Sequence, residues 1–262
     1  MKQDILRHLP PNHPWADLIQ VHEVLSSTNT HAKELACQGA AEGTVIIAGQ
    51  QTAGRGRLGR SFHSPQGTGL YLSLILRPDC FAEKLMHLTC AAAVATCEAV
   101  EQSCNLVPQI KWINDLTMNG KKLGGILTEL IFGSDGRVSA AVIGIGINCR
   151  LENAPAEIKD IACSLSDFTD KADIARLASA LILALEHMNR RLLQDRATIM
   201  EIYRQNCITL GKQVRVISPS ETITAVAEQL HDDGSLTVVL EDGHRKTVNA
   251  GEVSVRGLWD YL

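Results

Sequence analysis

The sequence predicts an α/β (α+β) chain in two parts: an α/β domain of about two hundred residues and a small all-β module of about fifty behind it. Two observations carry that reading. Up to residue 208, short apolar runs of strand character alternate with stretches of helical spacing. From Gly211 onward the pattern changes to short strands separated by the turn sequences DDGS and EDG. The boundary is therefore placed between residues 1–208 and 209–262.

After a lead containing Pro10, Pro11 and Pro14, VHEVL reads as a strand and SSTNTHAKELACQG as a capped helix. Ser27, Thr28 or Asn29 can serve as N-cap, and Gly39 stops the helix. GTVIIAG is a short apolar strand, and LYLSLIL (70–76) is another whose near-continuous apolar character predicts burial on both faces. The two are separated by a glycine-rich loop of about twenty residues, a length that inside a compact domain usually marks a lid or a binding loop. A helix is expected from about Ala82 to Cys104, then a strand at QIKW. KLGGILTELIF and RVSAAVIGIGIN are two β-rich runs joined by the hairpin signal GSDG. KADIARLASALILALEHMNRRLLQ and ATIMEIYRQNC have helical spacing. The terminal module offers VRVI, ITAVAEQL, LTVVL, KTVNA and VSVRG as strands.

Apolar residues make up 45% and charged residues 21%, which excludes a disordered chain. The net charge of −4 gives no overall basic field for non-specific nucleic-acid binding, so any anion site must be local. The N-terminus lacks the apolar core of a signal peptide and no uncharged run reaches membrane-spanning length, so a cytoplasmic protein is expected. Eight cysteines form no C-x-x-C pair; Cys90, Cys97 and Cys104 recur every seven residues as buried thiols of a helical stripe would. No transition-metal site is expected.

The densest local cation cluster is GRGRLGR, Gly54 to Arg60, with three arginines in seven residues. GRGRLG fits the G-x-G-x-x-G dinucleotide fingerprint, and GRGRLGRS is one substitution from the phosphate-binding G-x-x-x-x-G-K-[ST] loop. Both motifs require a helix to open directly after the glycines, because the helix N-terminus holds the phosphates. Here RSFHSPQGTGLYLSLIL follows, and Pro65, Gly67 and Gly69 forbid a helix. What remains is a mobile loop whose backbone can approach a ligand while guanidinium groups hold phosphate or carboxylate. A second cluster, KWINDLTMNGKKLGGILTEL, places Trp112, Asn114 and Asp115 at a strand end, and Lys121 and Lys122 at the start of the next. Gly124 and Gly125 permit close backbone approach there. Together the clusters favour nucleotide chemistry.

At these residues the chain resembles the biotin–protein ligases, in a short form lacking the N-terminal DNA-binding domain that some members carry. The matching motifs are SSTNTHA, QQTAGRGRLGRSFHSPQGTGLYLSLIL, KWIND followed by KKLGGIL-E, IGIGIN and a terminal GEVSVRG, in family order from about residue 21 to 257. Two positions depart from the family pattern: Ile113 stands where proline is usual, and Phe62 where tryptophan is frequent. The resemblance implies a mixed-sheet catalytic domain (1–208) with an SH3-like C-terminal barrel (209–262). It implies ATP-dependent formation of biotinyl-5'-AMP and transfer of biotin to a lysine of a biotin carboxyl carrier protein. Biotin, ATP and Mg²⁺ are the cofactors so implied. DNA and membrane partners are not expected, and monomer and homodimer both stay open.

By residue matching, the resemblance assigns Lys122 to the biotin carboxylate and α-phosphate, and Arg55 and Arg57 to holding phosphate and carboxylate from the loop. Ser27, Thr28, Asn29 and Gln51 match biotin-binding positions, and Gly54, Gly56, Arg60 and Phe62 belong to the cover. Trp112, Gly124 and Gly125 line the site, while Asn114 and Asn148 match nucleotide or Mg²⁺ contacts. Asp115 is the candidate for accepting a proton or orienting the amine in the second step. The loop would cover the mixed anhydride from water. The alternatives are a lipoate–protein ligase, which shares the acyl-adenylate logic without the Arg/Gly loop, and a non-catalytic adenylate sensor.

Overall fold

A computed structural model describes residues 1–152, 154–218, 221–249 and 254–257. The chain opens with helix α1 (Lys2–His8), absent from the sequence reading; its seven residues are too few to show a period, yet Ile5 is fully buried and accepts a 2.8 Å hydrogen bond from Ser179 Oγ. Strand β1 (Ile19–Leu25), helix α2 (Thr28–Cys37), β2 (Val45–Gln51) and β3 (Gly69–Leu76) follow where the sequence predicts them. Ser27 caps α2, and all eight residues of β3 are buried, as its uninterrupted apolar run requires.

The single helix expected from about Ala82 to Cys104 is broken into a 3₁₀ turn (Ala82–Leu85) and helix α3 (Leu88–Cys104). His87 stands at the break, wholly buried, with its Nε2 2.9 Å from the Leu192 carbonyl oxygen and its ψ at 3°, outside helical geometry. Beyond it come β4 (Gln109–Lys111), β5 (Asp115–Met118), β6 (Lys121–Phe132) and β7 (Val138–Asn148). Strand β5 is a further addition, so Asp115 begins a strand rather than ending one. Then follow α4 (Ala156–Ile161), α5 (Ile174–Arg191) and α6 (Arg196–Asn206). The module contributes β8 (Gln213–Ile217), β9 (Thr222–Leu230), β10 (Leu236–Leu240), β11 (Arg245–Val248) and β12 (Ser254–Gly257).

The first seven strands form one mixed sheet in the order β1-β2-β3-β7-β6-β5-β4, with β1 and β2 parallel and the other pairs antiparallel. The other five form an antiparallel sheet in the order β11-β10-β9-β8-β12. Alternation of side chains sorts the large sheet's faces. Leu70, Leu72 and Leu74 with Ile143, Ile145 and Ile147 join the main core with α3 and α5. The opposite-facing Ile75, Ala140 and Val142 pack with Ala32 and Ala36 of α2. Seven of the eight cysteines are buried free thiols, Cys90, Cys97 and Cys104 among them on α3, and burial pushes the thiol of Cys97 up to about 12. Among the described residues no helix is long and apolar enough to cross a membrane.

Candidate active site

The α2 face of the sheet opens into a cavity of about 650 Å³. Its floor is written in IGIGIN: the isoleucines point into the core, so Gly144 and Gly146 point the other way. A Cβ on Gly144 would lie 2.1 Å from Asn29 Oδ1, and one on Gly146 would lie 2.6 Å from the Phe62 ring. The two glycines thus seat the start of α2 and the aromatic side chain of the loop.

At the Gly144 end the groups are neutral. Gln51 Oε1 accepts from the Thr28 backbone N–H at 2.8 Å and from Thr28 Oγ1 at 3.1 Å, while Gln51 Nε2 donates to Ser64 Oγ at 2.9 Å. Ser73 Oγ lies 2.8 Å from Thr28 Oγ1 and 2.7 Å from Asn29 Oδ1. These fixed hydroxyls and amides, at a helix N-terminus, suit a small polar ring with donors and acceptors.

Along β6 and β7, Gly144 pairs with Leu127, Gly146 with Gly125, and the far end is charged. Lys122 Nζ donates to Asp115 Oδ1 at 2.5 Å, and a Cβ on Gly125 would come within 3.3 Å of that ammonium. The register explains the aim of Lys122: Leu116 pairs with Gly124 but Thr117 with Lys122, so a β-bulge sits between them. The extra residue turns Lys122 to the side that Gly125 leaves open. Arg57 reaches over from the loop and donates to Asn114 Oδ1 at 3.1 Å, while Asn114 Nδ2 donates to the Ile126 carbonyl oxygen at 3.0 Å. Burial pulls the Arg57 guanidinium below its usual value and the nearby Asp115 carboxylate opposes that, so it stays a cation.

The loop itself is held at its base: Phe62 N–H donates to Gly54 O at 2.9 Å and Gly56 N–H to Arg60 O at 2.7 Å. Leu58 and Gly59 take left-handed backbone angles at its tip, φ 55° and 74°. Trp112 closes the floor, donating from Nε1 to Gly234 O of the β9–β10 turn at 3.0 Å, and the Trp112–Ile113 peptide bond is cis. Arg215 and Val255 of the second sheet also face the cavity.

Of the residues singled out from sequence, the cavity wall contains Ser27, Thr28, Asn29, Gln51, Arg55, Gly56, Arg57, Arg60, Phe62, Trp112, Asn114, Asp115, Lys122 and Gly125. Three others are placed behind it. Gly54 lies against the Phe62 carbonyl oxygen, where a Cβ would sit 2.4 Å away, and Gly124 lies against Gly146 O at the same 2.4 Å. Asn148 is buried and donates to Cys163 O at 3.1 Å, bracing the segment whose Cys163 N–H binds Lys122 O at 2.8 Å. Arg55 faces the cavity but directs its guanidinium to Glu129, 3.4 Å away. Sequence reasoning did not single out Ser73, Gly144, Gly146 or Arg215, although the alternation of isoleucine and glycine in IGIGIN was a signal for two of them, and it gave no role to Lys111 or to Glu129, the glutamate that ends the KKLGGIL-E motif. Of GEVSVRG, Gly251, Glu252 and Val253 lie outside the described residues.

The charges have one sense. Among the described residues lining the cavity are the cations Arg55, Arg57, Arg60, Lys111, Lys122 and Arg215, against a single carboxylate, Asp115. In a chain of net charge −4 this is a local positive field, fit for a polyanion beside a group bound by neutral hydrogen bonds. Fold and site thus define a protein whose cavity can hold a small polar group against a phosphate-bearing partner.

Residues 21–148 match the biotin/lipoate A/B protein ligase family, and residues 209–256 match the biotin protein ligase C-terminal domain. The bifunctional ligase/repressor BirA of Bacillus subtilis is 40% identical over 233 residues, covering 87% of this chain and 71% of that protein. The biotin–[acetyl-CoA-carboxylase] ligase of Mycobacterium tuberculosis is 33% identical, with 91% and 89% covered. The structure of biotin protein ligase from Aquifex aeolicus in complex with biotin and ATP superposes with a TM-score of 0.78 at 26% identity, covering 92% of this chain and 99% of that one. The chain belongs to the biotin/lipoate A/B protein ligase family, as one of its biotin protein ligases.

Proposed function

We propose that this chain joins biotin and ATP to give biotinyl-5'-AMP and pyrophosphate, then transfers biotin to a lysine of a biotin carboxyl carrier protein, with residues 1–208 supplying the chemistry. The observation that carries the reading is the division of one cavity into a neutral hydrogen-bonding end at Thr28, Gln51 and Ser73 and a cationic end at Lys122 and Arg57. The relatives' names supply the identity of the acid.

In the first step a carboxylate oxygen of biotin attacks the α-phosphorus, a P–O bond forms, and the bond to the bridging oxygen breaks to release pyrophosphate. Two anions must be brought together, so the site has to supply cations and orientation. Lys122, fixed by Asp115 and given room by Gly125, stands to contact both the carboxylate and the phosphate. Arg57, held by Asn114, caps the site from the loop. In the second step the carrier amine attacks the acyl carbon, AMP leaves with the electron pair of the acyl–oxygen bond, and the amine loses a proton. Asp115, facing the same space, orients the amine or receives that proton.

The nucleotide is taken as MgATP. The one carboxylate among the described cavity residues is paired with Lys122, and Asn114 and Asn148 are engaged by Arg57 and Cys163. These residues do not form a protein cage for Mg²⁺, so no step is assigned to a protein-held ion.

The test is to incubate the enzyme with MgATP and either biotin or lipoate, following pyrophosphate, then to add a carrier domain and weigh it. Pyrophosphate with biotin and a carrier heavier by one biotinyl group are expected. Release with lipoate instead would select the other branch of the family, and tight biotin binding without carrier labelling would select a sensor.

A further inference from the structure

We propose that Glu129 is a positioning residue for this reaction: it latches the arginine loop closed through Arg55 and ties that closure to the start of α2. The proposal rests on the biotin-activating reading for its consequence, and on geometry for the latch itself. Glu129 lies on β6 and is not part of the cavity wall; its side chain is 18% exposed. Its Oε1 is 2.9 Å from Lys33 Nζ and 3.4 Å from Arg55 Nη1, and its Oε2 accepts from Asn29 Nδ2 at 3.0 Å. Asn29 and Lys33 are four residues apart on one face of α2, so a single carboxylate grips the helix on two turns and the loop at one point.

Burial works to raise the Glu129 carboxyl, yet Lys33, Asn29 and Arg55 hold it below the usual carboxylate range, which keeps it ionised at neutral pH. Arg55 also forms the β-bridge to Ser61 that closes the base of the loop. Its guanidinium is therefore at a place where side-chain pairing and loop closure coincide. Without the carboxylate, Lys33 and Arg55 would face each other as like charges, and the loop would be pushed outward. The biotin-side residue Asn29 would lose one of its fixed partners at the same time.

Hydrogen–deuterium exchange of the unliganded full chain tests this, comparing wild type, Glu129→Gln, Arg55→Ala, Arg55→Glu and the Glu129→Gln/Arg55→Ala pair. Glutamine keeps an acceptor for Asn29 while removing the charge. Exchange in peptides covering residues 54–62 is expected to rise about two- to fivefold in each of the first two variants, as a partly exposed ion pair allows, and no further in the pair. Arg55→Glu, at a position 46% exposed where folding is not at risk, is expected to exceed Arg55→Ala because it repels Glu129. Loss of enzyme-bound biotinyl-5'-AMP should accelerate in the same order. The proposal is overturned if Glu129→Gln loosens only residues 28–37, if the paired effects multiply, or if Arg55→Glu equals Arg55→Ala. A wild type that forms no adenylate from biotin and MgATP would instead overturn the functional reading, and the exchange data would still decide the latch.

Discussion

Lys122 is the residue proposed to carry the chemistry, and its position comes from three features. Asp115 holds the ammonium at 2.5 Å, Gly125 leaves the space, and the bulge between Lys122 and Gly124 sets the direction. Lys122→Ala should slow pyrophosphate release by about 10²–10³-fold, the usual cost of removing one donor aimed at developing charge. Single-turnover measurement with saturating biotin and MgATP checks it, and near-normal release would remove Lys122 from its role. Gly144 tests the other end of the cavity. In Gly144→Ala the new methyl would meet Asn29 Oδ1 at 2.1 Å, displacing the amide from Ser73. With one or two hydrogen bonds of about 1 kcal/mol lost, biotin should bind roughly five- to thirtyfold more weakly by calorimetry. Unchanged affinity would mean that Asn29 moves without consequence.

At the scale of elements, the loop of residues 52–68 depends on a few contacts at its base and on Arg57 at its reach. Arg57→Ala removes a charged hydrogen bond worth about 1.5–3 kcal/mol, so the enzyme-held adenylate should escape to solvent at least about tenfold faster. A quenched assay of intermediate lifetime reads this directly. The elements legible in the sequence were those with a strong period or a clean cap: α2 from SSTN, β3 from LYLSLIL, and the β6–β7 hairpin from GSDG. Those missed were short and weakly patterned: α1 has seven residues and α4 six, about two helical turns, and the four residues of β5 run from an ND to an NG turn signal. The site was legible where residues sit in glycine- or charge-rich runs. It was not legible at Ser73, buried inside an apolar strand, and at Glu129 the motif marked the residue but not its role, because its partners Asn29, Lys33 and Arg55 are 74 to 100 residues away in sequence.

At the scale of the whole molecule, the two sheets share one hydrophobic core and meet at the site. Trp112 Nε1–H reaches Gly234 O, Arg204 donates to Leu230 O at 2.9 Å, and Arg215 of β8 faces the cavity. Global stability should fall with acid well before the carboxylates titrate. Burial lowers the pKa of His13, His22 and His87, and each has one ring nitrogen, Nε2, Nε2 and Nδ1 respectively, buried without a hydrogen-bond partner. The unfolded chain therefore takes up protons more readily than the folded one. Their stability contribution is complete above the unfolded imidazole value of about 6.5 and is lost as pH falls below it toward the depressed folded values. The melting temperature should be lower at pH 5.5 than at 7.5, and His87→Gln should flatten that slope. A slope unchanged in His87→Gln would remove His87 as a source.

The sequence by itself determined the class of fold, the order of its main elements and the clusters that carry charge, because these depend on local period, capping and composition. Even the failure of GRGRLGR as a phosphate-binding fingerprint could be read there, since Pro65, Gly67 and Gly69 interrupt the stretch in which the required helix would have to run. Only the tertiary structure decided how the charges are shared. It directs Arg57 to Asn114 and Arg55 to Glu129, puts Asn148 behind the wall rather than in it, and brings Arg215 from the second sheet. These assignments follow from strand register, one bulge and the packing of distant segments, which no local pattern encodes.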